Sequence, residues 1–143
     1  MRYEWRDYST HRRSLGVTKF ILIGVGGFVG ALLRYYVSGW IQQMAKDVGF
    51  LWGTLIVNLS GCLAIGLFSY LADARGVFTA ESRAFVFIGV MGAYTTFSTF
   101  GNETMALFRD GENGLALANA GAHVLLGLGA VWAGRALANL IWS

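Results

Sequence analysis

The chain has 143 residues, of which 55% are hydrophobic and only 13% charged, with a formal net charge of +3. Soluble domains carry about 25% charged residues, so this chain lacks the charges to solvate its own surface, and a water-soluble globular domain is excluded. Twenty glycines, no proline and one cysteine exclude an intrachain disulfide and suit helices whose backbones approach closely in a membrane.

Residues 1–16 read as a basic tail. Arg2, Arg6, Arg12 and Arg13 stand among Tyr3, Glu4, Trp5, Asp7 and Tyr8, a mixture that suits a membrane-surface anchor better than a nucleic-acid contact. Residues 17–143 form the second unit. With roughly 20 apolar residues needed to cross a bilayer, four runs qualify, at about 17–41, 50–72, 84–108 and 115–140. The first run follows an arginine pair as a signal peptide would. It is too long, however, and has no small-x-small cleavage site, so it reads as a retained helix. Inside the runs the charges are Arg34, Glu103 and Arg135; the others fall in the tail, the connectors and the run ends. The fold class that follows is an all-α membrane protein of four transmembrane helices.

Four spans put both termini on one side. That side collects the four tail arginines with Lys19, Arg75, Arg83 and Arg135, against Arg34, Lys46 and Arg109 opposite. The positive-inside rule then places the termini in the cytoplasm, but without the tail the two sides nearly balance. Four helices are few to enclose an aqueous path, so a transported solute requires two or more chains to build it.

The first span contains Gly26-x-x-x-Gly30 with Gly27 and Ala31 on the adjoining face, a surface for close helix packing. Arg34, near its end, either snorkels to the interface or raises the positive potential at a water-filled entrance. The second span carries Thr54 and Asn58 on one face. An unpaired amide at mid-membrane costs several kcal/mol, so Asn58 either bonds another helix or lines a polar path. Periodicity does not choose between these. Cys62, in the same span, reads as a small packing residue.

The third span is unusual. From Gly92 through Tyr94, Thr95, Thr96, Phe97, Ser98, Thr99 and Phe100 to Glu103 it has no Leu, Ile or Val and is rich in poor helix formers. Irregular backbone at membrane depth survives only where it is buried in protein or lines a cavity. The composition therefore predicts a helix broken near its middle, around residues 92–99, with carbonyls freed for a cation and N–H groups for an anion. The fourth span places Asn119 and His123 on one face. No second His, Cys or carboxylate accompanies His123, so metal catalysis is not indicated.

Three blocks together, Gly26-Gly27-x-x-Gly30-Ala31-x-x-Arg34-Tyr35, Gly53-Thr54-Leu55-x-Val57-Asn58-x-x-Gly61 and Gly92-x-x-Thr95-Thr96-Phe97-Ser98-Thr99-Phe100, resemble the Fluc (CrcB-type) fluoride channels. The blocks occur in order on successive spans, and the resemblance covers about residues 17–142. It implies passive, fluoride-selective export that lowers cytoplasmic toxicity, in a bacterial inner membrane. It further implies a dual-topology antiparallel homodimer with two pores. Asn58 matches the family's pore asparagine and Thr54 its polar companion. Phe97 and Phe100 match the two phenylalanines whose ring edges line the fluoride route, with Ser98 and the hydroxyl of Thr99 beside them. Gly92 and Thr95 match the positions whose backbone carbonyls hold a central structural sodium ion. Glu103 corresponds to an acidic position at the end of the track, Asn119 and His123 to the polar fourth helix, and Arg34 to the vestibule.

Those residue types suit fluoride, a small, strongly hydrated hydrogen-bond acceptor. Amide and hydroxyl donors replace its water, and aromatic edges carry weak positive potential, while conduction requires binding weak enough to release. The tail's charge bias sits awkwardly with opposite insertion of two identical chains. The alternative is a small multidrug/proton antiporter, which needs a membrane-embedded carboxylate; Glu103 is the one candidate. An enzyme is not indicated, because no motif sets a base beside a nucleophile. The implied partners are fluoride, membrane lipid and a second copy, with no nucleic acid.

Overall fold

The computed structural model describes residues 16–45 and 49–142. Of the basic tail, residues 1–15 lie outside the described residues, as do Lys46 and Asp47 of the first connector. Helix α1 is Val17–Met44 and α2 is Trp52–Arg75. The short α3, Ala80–Arg83, runs directly into a π-helical stretch, Ala84–Met91, and then α4, Gly92–Tyr94. Helix α5 is Phe97–Arg109 and α6 is Asn113–Trp142. Among the described residues there is no strand.

Four stretches are long and apolar enough to cross a membrane: Val17–Met44, Trp52–Arg75, Ala80–Arg109 and Asn113–Trp142. Each reaches beyond the end of its apolar run, and after two of them a glycine turn stops the winding. After α2 that stop is Gly76, at φ 60°, and after α5 it is Gly111, at φ 81°, both in the left-handed region that favours glycine. Thr79 opens the third span by accepting a hydrogen bond from the Ser82 N–H at 3.2 Å. Arg83 donates back to the Ala72 carbonyl at the end of α2 (3.2 Å).

Two seams dominate the packing, α2 against α6 and α1 against the π-helical stretch. Both are built on absent side chains. A Cβ on Gly26 would lie 2.6 Å from the Phe85 carbonyl oxygen, and one on Gly30 would overlap the Val90 carbonyl. On the other seam, Gly66 faces the Val131 carbonyl and Gly134 the Leu63 carbonyl at equally close range. Backbones this close gain dispersion contacts along their length, the force that holds helices together where lipid competes for apolar side chains. At the membrane ends, side chains tie α2 to α6: Tyr70 donates to Asn139 at 2.6 Å, and Arg135 meets Asp73 at 3.4 Å.

Little of the apolar surface is covered. Phe20, Phe28, Leu125, Leu128 and Trp132 all point outward, as lipid-facing residues do. The largest fully buried side chains are Val57 and Asn119. That an amide ranks beside a valine shows where the polar interior lies.

Candidate functional site

Between α4 and α5 the chain leaves the helical path for two residues. Thr95 sits at φ −79°, ψ 153° and Thr96 at φ −147°, ψ 105°, both extended. Asn58 meets this segment from α2. Its Oδ1 accepts the Thr96 N–H at 2.8 Å, and its Nδ2 donates to the Thr96 carbonyl at 3.2 Å. Thr96 also starts α5: its hydroxyl oxygen accepts the Thr99 N–H at 3.3 Å and donates to the Thr99 hydroxyl at 2.9 Å. Ser98 Oγ lies 3.4 Å from the same hydroxyl.

Two carbonyls are affected. In a continuous helix the Thr96 N–H would reach the Gly92 carbonyl, and the Thr99 N–H that of Thr95. Here the first goes to Asn58 and the second to the Thr96 hydroxyl. Both oxygens thus lose their usual donors, and oxygen atoms are what a hard cation such as sodium requires. The backbone of Gly92 and Thr95 offers oxygens of that kind. Among the described residues there is no cluster of three or more His, Cys, Asp or Glu side chains.

Beyond the extended pair, Phe97 and Phe100 stand edge to face, with centroids 5.3 Å apart and planes at 63°. Phe100 also lies against the His123 ring of α6 at 4.4 Å. His123 Nδ1 is 3.0 Å from the Asn119 carbonyl. A carbonyl only accepts, so Nδ1 carries the hydrogen, and Nε2, buried and without a partner, is a free acceptor in the neutral ring. Asn119 donates from Nδ2 to Thr104 Oγ1 at 2.9 Å, and Thr104 donates to the Phe100 carbonyl at 2.8 Å. On the α2 side, the Thr54 hydroxyl donates to Glu103 Oε1 at 2.7 Å. Glu103 Oε2 and Asn119 Oδ1 are buried without partners.

These side chains border two cavities. One, of about 370 Å³, is lined by Asn58, Gly92, Thr95, Phe97, Phe100 and His123, with Cys62 at its wall. The other, of about 630 Å³, is lined by Arg34, Tyr35, Ser38, Thr54, Thr96 and Thr99. Most residues singled out from sequence thus line one of two spaces that meet at Thr96. Glu103 joins the second through Thr54; Ser98 lines neither, nor does Asn119, which is buried between α5 and α6. Phe97 is 82% exposed in the single chain. Sequence reading gave no role to Thr96 or Thr104. Threonine is a favoured N-cap residue, which is the signal for Thr96; nothing marked Thr104.

The sequence profile of the family described as CrcB-like protein, camphor resistance (CrcB), matches residues 21–135. The chain belongs to this family. It is 42% identical over 118 residues to a fluoride-specific ion channel, FluC 3, of Methanosarcina barkeri, a match covering 82% of this chain and 88% of that one. It is also 42% identical over 114 residues to the fluoride-specific ion channel FluC of Thermus thermophilus, covering 80% and 88%. The corresponding channel of Hydrogenovibrio crunogenus matches at 42% over 123 residues, covering 85% and 92%. These relatives are named as channels, not enzymes, and none as an antiporter. Together with the four apolar helices they make this a multi-pass membrane protein of a channel family.

Proposed function

We propose that this protein is a fluoride-selective channel that lets fluoride leave the cell passively across the inner membrane, lowering cytoplasmic fluoride. The observation that supports it most is the cavity in which Asn58 and the edge-to-face pair Phe97–Phe100 face one space beside the extended residues. Of the two Asn58 amide hydrogens, one goes to the Thr96 carbonyl and the other remains for an anion. The Thr99 hydroxyl accepts from Thr96, so its own hydrogen is likewise free. Donors without fixed positive charge, combined with ring edges, replace part of fluoride's hydration and still release it. Glu103, midway along α5, repels a second anion and marks where the track ends, with Thr54 beside it. Arg34 draws anions to the vestibule and His123 adds to the lining of the first cavity, while Ser98 and Asn119 support the track from behind through Thr96 and Thr104.

The working unit in this reading is a homodimer of oppositely inserted chains with two pores. The exposure of Phe97 supports it, since a second copy completes the aromatic lining that one chain leaves open. The extended pair is the break in the third helix, and the Gly92 and Thr95 carbonyls of each chain hold a central sodium ion. When bound, that ion supplies positive charge that offsets anion repulsion. Residues 1–16 are a tail on a channel domain spanning 17–143. Apart from the four tail arginines, Lys19, Arg75, Arg83 and Arg135 on one side stand against Arg34, Lys46 and Arg109 on the other, a bias within the channel domain small enough to allow both orientations.

The test is anion efflux from liposomes holding the purified protein. Fluoride should leave far faster than chloride; equal rates, or no fluoride efflux, would overturn the reading. A C-terminal tag found on the cytoplasmic side in every copy would overturn the antiparallel dimer.

A further inference from the structure

Among the described residues, one side chain between 92 and 95 reaches another helix by a hydrogen bond. The Tyr94 hydroxyl lies 2.8 Å from Ser60 Oγ on α2. Gly92 has no side chain to use, and the Thr95 hydroxyl turns back to the Met91 carbonyl of its own span at 3.0 Å. The direction of the Tyr94 bond follows from its surroundings. Ser60 Oγ is also 3.0 Å from the Val57 carbonyl, which can only accept, so the single serine hydrogen goes there and Tyr94 donates. The next residue of α2 completes the seat. A Cβ on Gly61 would overlap Thr95 Cγ2 and stand 3.4 Å from the Tyr94 ring, so the bare glycine backbone lets both side chains settle against α2.

Asn58 fixes Thr96, the downstream end of the extended pair. Upstream, the backbone that carries the Gly92 and Thr95 carbonyls has Tyr94 as its hydrogen-bonded tie to a neighbouring helix. Oxygen ligands hold a cation only when they are aimed at it, and groups that orient ligands without touching the ion tune its affinity.

We propose that Tyr94 is a positioning residue for the cation site: by donating to Ser60 and packing on Gly61, it aims the Gly92 and Thr95 carbonyls at the ion. The inference rests on the sodium reading above. Loss of one such hydrogen bond corresponds to about a tenfold change in an equilibrium constant.

The experiment is a sodium titration of thermal unfolding on the purified full chain in detergent, with choline replacing sodium, alongside fluoride efflux from liposomes. Sodium should raise the melting temperature of the wild type. Tyr94→Phe and Ser60→Ala should each need about tenfold more sodium for the same rise. The double variant should need no more than either alone. Ser60→Thr, which keeps the accepting oxygen, should titrate as the wild type does. A Tyr94→Phe protein that melts lower at every sodium concentration with an unchanged sodium midpoint would overturn the proposal, because the tyrosine would then be only a packing residue. Should Tyr94→Phe fail to fold, Ser60→Ala against Ser60→Thr decides the same question. A wild type that conducts fluoride yet shows no sodium-dependent stability would remove the ion site and this inference with it. A wild type with sodium-dependent stability but no fluoride efflux would instead remove the channel reading and leave the positioning role standing.

Discussion

The two ends of the third span are fastened to the molecule in opposite ways. From Ala80 to Tyr94 the chain lies against α1 through bare backbone, with Phe85 and Val90 carbonyls set into the positions where Gly26 and Gly30 lack side chains. From Phe97 to Arg109 it is held by side chains: Glu103 to Thr54, Thr104 to Asn119, Phe100 against His123. The two cavities, of about 370 and 630 Å³, meet between these ends: Thr96 lines both, Phe87, Met91 and Gly92 border the first from upstream, and Thr99 borders the second from downstream. Bare backbone sets the upstream half against α1, and side-chain contacts set α5 against α2 and α6.

Substitutions should separate these two modes. The largest effect is expected from Gly30→Leu, whose side chain has nowhere to go. Overpacking costs about 1–3 kcal/mol or more, and here the obstacle is backbone, so size-exclusion chromatography should show little or no folded protein. Phe100→Ile should do the reverse, leaving the elution position unchanged while fluoride efflux falls at least about a hundredfold, a loss equivalent to about 2.7 kcal/mol in barrier. Unchanged efflux would remove the aromatic-edge argument. Asn58→Ala should act on both readouts. It leaves the Thr96 N–H and carbonyl without their partner, at about 1–3 kcal/mol for each buried group, so melting temperature and efflux should drop together. Smallest of all, Arg135→Ala removes an exposed ion pair with Asp73 at 3.4 Å. Such pairs contribute about 0–1 kcal/mol, and neither stability nor efflux should move measurably.

How far the sequence could be read differs between the same two regions. The four spans were legible because charge falls between apolar runs, a one-dimensional signal, and the structure has four helices of that kind. The helix ends were less so, because winding continues past the apolar run until Gly76 and Gly111 turn the chain. The π-helical winding of Ala84–Met91 left no mark, since its residues are the ordinary apolar ones of any span. In the polar region, spacing put Thr54 with Asn58, and Asn119 with His123, on common faces. Spacing says nothing of partners 38 residues away, such as Thr96 for Asn58, or 49 away, such as Glu103 for Thr54. Nor does it show that the candidate residues separate into two spaces. Residue type suggested that Asn58 needs a partner; only the fold shows that its partner is a peptide group.

Asn58 engages the N–H and the carbonyl of one residue, as a neighbouring β-strand would, so a single side-chain amide acts as a one-residue strand within an otherwise helical protein. Recognition of this kind ignores the side chain of the residue recognised. Position 96 is therefore free to drift among residues able to cap α5, whereas position 58 must present an accepting oxygen and a donating nitrogen at one fixed reach. Aspartate lacks the donor, glutamine is one methylene too long, and neither should substitute.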